Sequence, residues 1–192
     1  MNLIGISQIL FYTSVVIWLI PAFRQYHSKL FVFFFILALM DPISIAYLYI
    51  LNKVIPVEFY LFANYVLLIS LIDREALKRN LFFVVISFII ILFLITFANF
   101  SINQNFIILI SIQFLMLAII LKRFIVNYAF EKSINLFYLL LCFYFLTNIT
   151  KFFNVLTGFA DATAFFIITS IAQIIFGLFF SIFREDNPKI IL

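Results

Sequence analysis

Seven long apolar runs fill almost the whole chain, and ten of its twelve Lys and Arg residues sit in alternate gaps between them. The runs are Leu3 to Ile20, Leu30 to Leu51, Pro56 to Ile72, Leu81 to Ala98, Gln104 to Leu121, Ile134 to Phe153 and Ala164 to Phe183. A bilayer core is about 30 Å thick and a helix rises about 1.5 Å per residue, so a span needs roughly 17 to 25 apolar residues. The runs have that length. With 67% hydrophobic and only 10% charged residues, too little polar surface exists to cover a water-soluble globule. A transmembrane barrel would need shorter segments alternating polar and apolar residues, and no such pattern is present. The expected fold is all-α: one integral membrane domain over residues 1–192, a bundle of seven transmembrane helices.

Cytoplasmic loops retain Lys and Arg during insertion. The first, third and fifth gaps hold Arg24 and Lys29, then Arg74, Lys78 and Arg79, then Lys122, Arg123 and Lys132, and the tail adds Arg184 and Lys189. The opposite side has only Lys53 and Lys151. This bias places the amino terminus outside and the carboxyl terminus in the cytoplasm. The first run lacks a positive leader and a small-residue cleavage site, and so reads as a span rather than a signal peptide. The longest polar gap, Lys122 to Ser133, reads as a loop too short to fold alone. The net charge of +4 marks the inner leaflet, where anionic lipid attracts each cation by about 1 kcal/mol, and implies no nucleic-acid partner.

One cysteine, Cys142, and one histidine, His27, leave no disulfide, no thiolate cluster and no two-histidine haem or metal site. No nucleophile motif accompanies His27. The expectation is a non-enzymatic protein without cofactor or metal. Asn99, Phe100 and Ser101 match an acceptor sequon, a pattern short enough to arise by chance.

Polar residues within the runs are more informative, because lipid offers them no hydrogen-bond partners and they must face other helices or trapped water. Near the midpoints lie Thr13 and Ser14, Asp41, Asn64, Gln113 and Gln173, while Asn148 sits slightly outward beside Thr147 and Thr150. Six runs therefore share a polar layer, and the fourth, with only Ser87, is expected to be peripheral. Asp41 is the sharpest candidate, since an ionised carboxylate at mid-depth costs about 2.5 to 3.5 kcal/mol on insertion scales. Pro42 follows it, frees the Ala38 carbonyl and predicts a kink there. The functional reading makes Asp41 a proton- or ligand-binding group with Asn64, Gln113, Asn148 and Gln173 as neutral partners. The competing reading makes all five interhelical glue. Lys151 is expected to snorkel to the outer interface rather than reach Asp41, and Glu58 and Asp161 to be solvated at the outer ends of their runs. Phe33, Phe34 and Phe35 read as lipid-facing surface, and with only three glycines the helices should be spaced by Phe, Leu and Ile.

The fourth run divides two triplets of helices with parallel directions. Leu30 and Phe31 can be laid on Leu136 and Phe137, which sets Asp41 and Pro42 over Thr147 and Asn148. This layout resembles the SWEET-type sugar carriers in topology, though their Pro-Gln pair is missing: Pro21 and Gln25 are separated and the fifth run has no proline. The basic gap after the first helix, the acid within the second, the aromatic third and the scant loops also resemble small polytopic proteins that bacteria encode beside sensor kinases. That resemblance implies a sensory or accessory subunit of the bacterial inner membrane, acting through a partner such as a sensor kinase, with a small ligand conceivable. The alternative is a small-solute or proton-coupled transporter built around Asp41.

Overall fold

The structure is a computed structural model and describes residues 3–97 and 100–187. Among these residues there are eight helices and no strand: α1 (Leu3–Arg24), α2 (Phe31–Leu51), α3 (Val57–Ser70), α4 (Arg74–Arg79), α5 (Leu81–Phe97), α6 (Ile102–Glu131), α7 (Leu136–Thr157) and α8 (Ala162–Ile182). All but α4 correspond to the seven apolar runs. Five of them, α1, α2, α6, α7 and α8, are long and apolar enough to cross a membrane, whereas α3 and α5 are apolar but shorter. The whole fits a multi-pass membrane protein.

Two departures from expectation have simple causes. The segment after Leu121 is not a loop; α6 continues through Lys122 and Arg123 to Glu131 because nothing in it breaks a helix, and it ends only where Lys132 turns left-handed. The gap after the third run likewise folds, into the single-turn α4. Asn99 and the end of the fourth run at Ala98 lie outside the described residues, as does Lys189.

Six helices form a closed ring in the order α1, α2, α3, α6, α7, α8, with α8 packed back on α1. The fifth helix stands outside it, as expected of the run with least polarity. Its packing partner is chiefly α3, where the buried Tyr65 hydroxyl donates to the Val84 carbonyl and meets the Ser87 hydroxyl. Ser87 is thus the peg by which α5 is attached.

The α1–α8 seam is the tightest. At Gly177 an added Cβ would lie 2.8 Å from Ile17 Cγ2 and 3.3 Å from Trp18 Nε1, so the contact requires the missing side chain. Trp18 in turn donates its indole N–H to the Gln173 carbonyl at 3.1 Å. One turn past the end of the seam, Gln25 is fully buried and ties the two helix ends together. Its amide nitrogen donates to the carbonyls of Phe180 (3.2 Å) and Phe183 (2.7 Å), and its oxygen accepts from the Glu185 amide (3.3 Å). Arg24 adds a bond to the Ile182 carbonyl. These are carbonyls that a helix end leaves without an internal partner, and lipid could not supply one. Since carboxyl-terminal ends meet, α1 and α8 run parallel. At the same end Arg123 reaches from α6 to the Leu71 carbonyl (2.6 Å) and to Asp73 (2.8 Å), closing the end of α3.

Towards that cationic end the ring axis is filled by aromatic side chains. Phe33, Phe34, Phe137, Phe145 and Phe180 are essentially inaccessible and pack with Leu141, Met116 and Cys142 into one cluster. The expectation that Phe33 to Phe35 face lipid is corrected here: only Phe35 is exposed. Successive helical residues turn by about 100°, so three in a row cannot share a face. Between helices in lipid the gain comes from dispersion and close packing rather than from expelling water, and interlocking rings such as Phe34 against Phe180 at 5.1 Å supply it.

Replacing Gln25 with Leu keeps the volume but strips the partners from two carbonyls and an amide. The expected result is a loss of about 1 to 3 kcal/mol, read as an earlier midpoint when the detergent-solubilised protein is titrated with sodium dodecyl sulfate.

Candidate functional site

Towards the other end the ring is hollow. A cavity of about 360 Å³ is lined from every ring helix, by Phe11 and Trp18 of α1, Leu37, Met40, Asp41 and Ser44 of α2, Tyr60, Asn64 and Leu67 of α3, Phe106, Leu109 and Gln113 of α6, Tyr144, Asn148, Lys151 and Phe152 of α7, and Gln173 of α8. It extends to Val54 and Ile55 in the turn between α2 and α3, away from the cationic end. All five residues singled out from the sequence, Asp41, Asn64, Gln113, Asn148 and Gln173, stand on its wall.

The spacing explains why. On α2 the lining residues fall at 37, 40, 41 and 44, on α6 at 106, 109 and 113, and on α7 at 144, 148 and 151. These are steps of three and four, one stripe of a helix. Depth alone was insufficient: Thr13, Thr147 and Thr150 share the level of the site but do not line it; Thr13 and Thr150 are exposed and Thr147 half-buried, and Thr147 and Thr150 donate to the Phe143 and Leu146 carbonyls of their own helix respectively. Ser14 is buried away from the cavity wall. The superposition of Asp41 on Thr147 therefore does not extend to function, since one lines the hollow and the other does not.

The amides are fixed by one another. Gln113 donates Nε2 to Asn64 Oδ1 at 2.6 Å, and Asn64 donates Nδ2 to the Tyr60 carbonyl at 2.7 Å. The Tyr60 hydroxyl lies 3.0 Å from Ser44 Oγ, which donates to the Met40 carbonyl one turn back on α2. Hydrogen bonds thus join α6, α3 and α2 along one side of the cavity. Helix α2 runs through Pro42 without a break in its assignment. Among the described residues the Gln113 Oε1 acceptor is one of four buried side-chain polar atoms without a hydrogen-bond partner, and of these four it is the one on the cavity wall.

Among the described residues Asp41 makes no hydrogen bond or ion pair; the ion pairs there are Arg123 with Asp73 and Arg184 with Asp186. Its side chain is half-buried and lines the same hollow as Lys151. Lys151 does not leave for the outer interface as expected. It lines the same hollow, with its ammonium 5.8 Å from the Phe166 ring centroid. Tyr144 is on that wall as well, buried, with its hydroxyl beside the Asn148 side chain. Lys151, Tyr144, Ser44 and Tyr60 are the wall residues that reading by depth missed; the four-then-three spacing around Asn148 was the available signal.

The outer carboxylates have other tasks. Asp161 caps α8 by accepting from the Ala164 amide at 2.8 Å, and Glu58 accepts from Asn105 of α6 at 3.4 Å. At the cationic end a second hollow of about 400 Å³ lies among Lys29, Lys122, Arg123 and Tyr138, with Arg123 already committed to Asp73 and Leu71. No group of three or more His, Cys, Asp or Glu among the described residues could hold a metal ion. The chain matches no protein-family model, no curated protein and no solved structure.

The Asn64–Gln113 bond should behave as a coupled pair. Asn64→Leu and Gln113→Leu are each expected to destabilise, with the double variant less affected than their sum by about 0.6 to 2 kcal/mol, as measured by a double-mutant cycle of unfolding in mixed micelles.

Proposed function

We propose that this protein is a non-enzymatic sensory or accessory subunit of the bacterial inner membrane that admits a small ligand to the Asp41 cavity and reports its presence to a partner membrane protein such as a sensor kinase. In this reading the chain crosses the bilayer seven times, with the amino terminus outside and the carboxyl terminus in the cytoplasm. The short helix α3 is completed as a crossing by the apolar residues that flank it, Val54 to Pro56 and Leu71 to Ile72.

One observation carries the proposal: a cavity with an unpaired acid in its wall is closed on the cation-rich side by a block of buried phenylalanines. Basic ends mark the cytoplasmic side, so the hollow belongs to the outer half and ligand arrives from outside. A block of interlocked rings between the cavity and the cationic end suits reception better than passage. Trp18 joins the two halves, since it lines the cavity and packs on Tyr144 (5.0 Å), Phe180 (6.2 Å) and Phe34 (6.4 Å). A change at the wall therefore reaches the inner ends of α2 and α8 through one side chain.

The carrier reading keeps its support in the two cavity charges, Asp41 and Lys151, which could exchange a proton or bind a co-substrate in alternation. Proteoliposomes separate the two. The subunit reading expects no solute accumulation by the purified protein and a stable complex with a kinase or other membrane protein; uptake that disappears in Asp41→Asn would establish the carrier instead.

Topology is tested by reporter fusions. A periplasm-active reporter is expected to be active after Asn52 and Gly158 and silent after Ser28, Lys78 and Lys132. Activity on both sides of α1, or chain ends on one face, would defeat the seven-crossing arrangement.

A further inference from the structure

The charges in the cavity say more about its ligand than its size does. Asp41 on α2 and Lys151 on α7 oppose each other across one hollow, yet no direct ion pair joins them. A buried charge left without a close partner is costly, and mutual neutralisation would be the simple remedy if stability were the only demand. The fold instead holds the two apart, with the Tyr144 and Asn148 side chains near the gap and the Gln113 oxygen buried without a donor. Gln113 cannot easily turn away, because its nitrogen is held by Asn64. Among the described residues, three groups in one wall thus lack a hydrogen-bond or ion-pair partner: an acid, an amine whose contact is with the Phe166 ring, and a neutral acceptor.

We propose that the ligand is a small zwitterion, its cationic nitrogen against Asp41, its anionic oxygens against Lys151 and an N–H or O–H directed to Gln113. This rests on the reading of the cavity as a ligand site and specifies its chemistry. A simple amine would neutralise Asp41 and leave Lys151 alone in the same hollow; a simple carboxylate would do the reverse. A zwitterion satisfies both: each of its charges loses water on entry but meets an opposite charge in the wall, and that pairing offsets the cost of burial. The remaining wall, with Phe11, Leu37, Met40, Phe106 and Phe152, offers room for an apolar substituent. At about 360 Å³ the hollow falls in the lower part of the range of small-molecule sites, roughly 300 to 1,000 Å³.

Trp18 is the chain's single tryptophan and lies on the cavity wall, so its emission reports occupancy directly. The experiment titrates the full chain, in nanodiscs of phosphatidylethanolamine and phosphatidylglycerol, with L-alanine, L-leucine, L-methionine and 4-aminobutanoate. For each it adds the matched amine and the matched carboxylate, such as 3-methylbutylamine and 4-methylpentanoate for leucine, and glycerol and glucose as uncharged probes. The expected result is a saturable change with at least one zwitterion, at least tenfold tighter than with either matched single-charge compound. Lys151→Met should abolish the preference over the amine and Asp41→Asn the preference over the carboxylate, while Lys151→Arg and Asp41→Glu retain them. An amine, carboxylate or uncharged probe binding as tightly as any zwitterion overturns this assignment and leaves the cavity a ligand site. No response to any probe overturns both. The comparison among ligands on the unaltered chain decides the matter even where a variant does not fold.

Discussion

Hydrocarbon cannot donate or accept a hydrogen bond, and every polar group in this chain is placed under that constraint. At the cationic end the constraint governs the backbone. The carbonyls at the finish of α8 have no continuing helix, and Gln25 and Arg24 of α1 are spent on them. The finish of α3 is closed in the same manner by Arg123. Polar side chains that might be taken for surface decoration are therefore what allows the helices to end where they do. Around the middle the same constraint governs side chains: Gln113, Asn64, Tyr60 and Ser44 link three helices through bonds that water would compete with but lipid does not.

Such bonds leave the two ends of the ring with different properties. Below the amides, Phe33, Phe34, Phe137, Phe145 and Phe180 interlock, so displacement of any one ring must be accommodated by its neighbours. Above them the chain had the same aromatic residues available but set Ser44, Asn148 and Lys151 on the inner stripes of α2 and α7, and polar groups of that length do not interdigitate. A hollow results. Its walls remain steady because the amide chain on one side and the Gly177 seam on the other are both fixed.

Much of this was legible from the residues, though unevenly. The span of each apolar run and the depth of Asp41, Asn64, Gln113, Asn148 and Gln173 follow from counting at a fixed rise per residue, and all five meet at one hollow. Which way a residue faces was harder, since depth constrains one coordinate and a helix has two. Thr147 and Asn148 are adjacent in sequence and level with each other, yet only Asn148 is buried and lines the hollow. Lys151 was misread for a related reason: a long stem near an outer end suggests snorkelling, but its position three residues after Asn148 turns that stem inward. The continuation of α6 past Leu121 was missed because charge was taken to mark a loop, whereas Lys and Arg are good helix formers and only the absence of a breaker mattered.

The position of Trp18 makes the asymmetry of the ring consequential. A ligand confined to the hollow touches no residue of α4 and none of the cationic ends, so its presence can be felt there only through side chains common to both halves. Leu67, Tyr144 and Trp18 are in that position, each on the cavity wall and each buried in the aromatic block. Trp18 has the greatest reach, because its ring meets Phe34, Tyr144 and Phe180 while its N–H is held by the Gln173 carbonyl on the opposite face of the seam. With no Cβ at Gly177 to obstruct it, α8 can approach the indole closely, and any shift of the indole must be taken up by α8, by Tyr144 of α7 or by Phe34 of α2. A packed interior is rigid enough to transmit such a shift rather than absorb it, and one of the helices that receive it, α8, is the one whose cationic end Gln25 and Arg24 tie to α1.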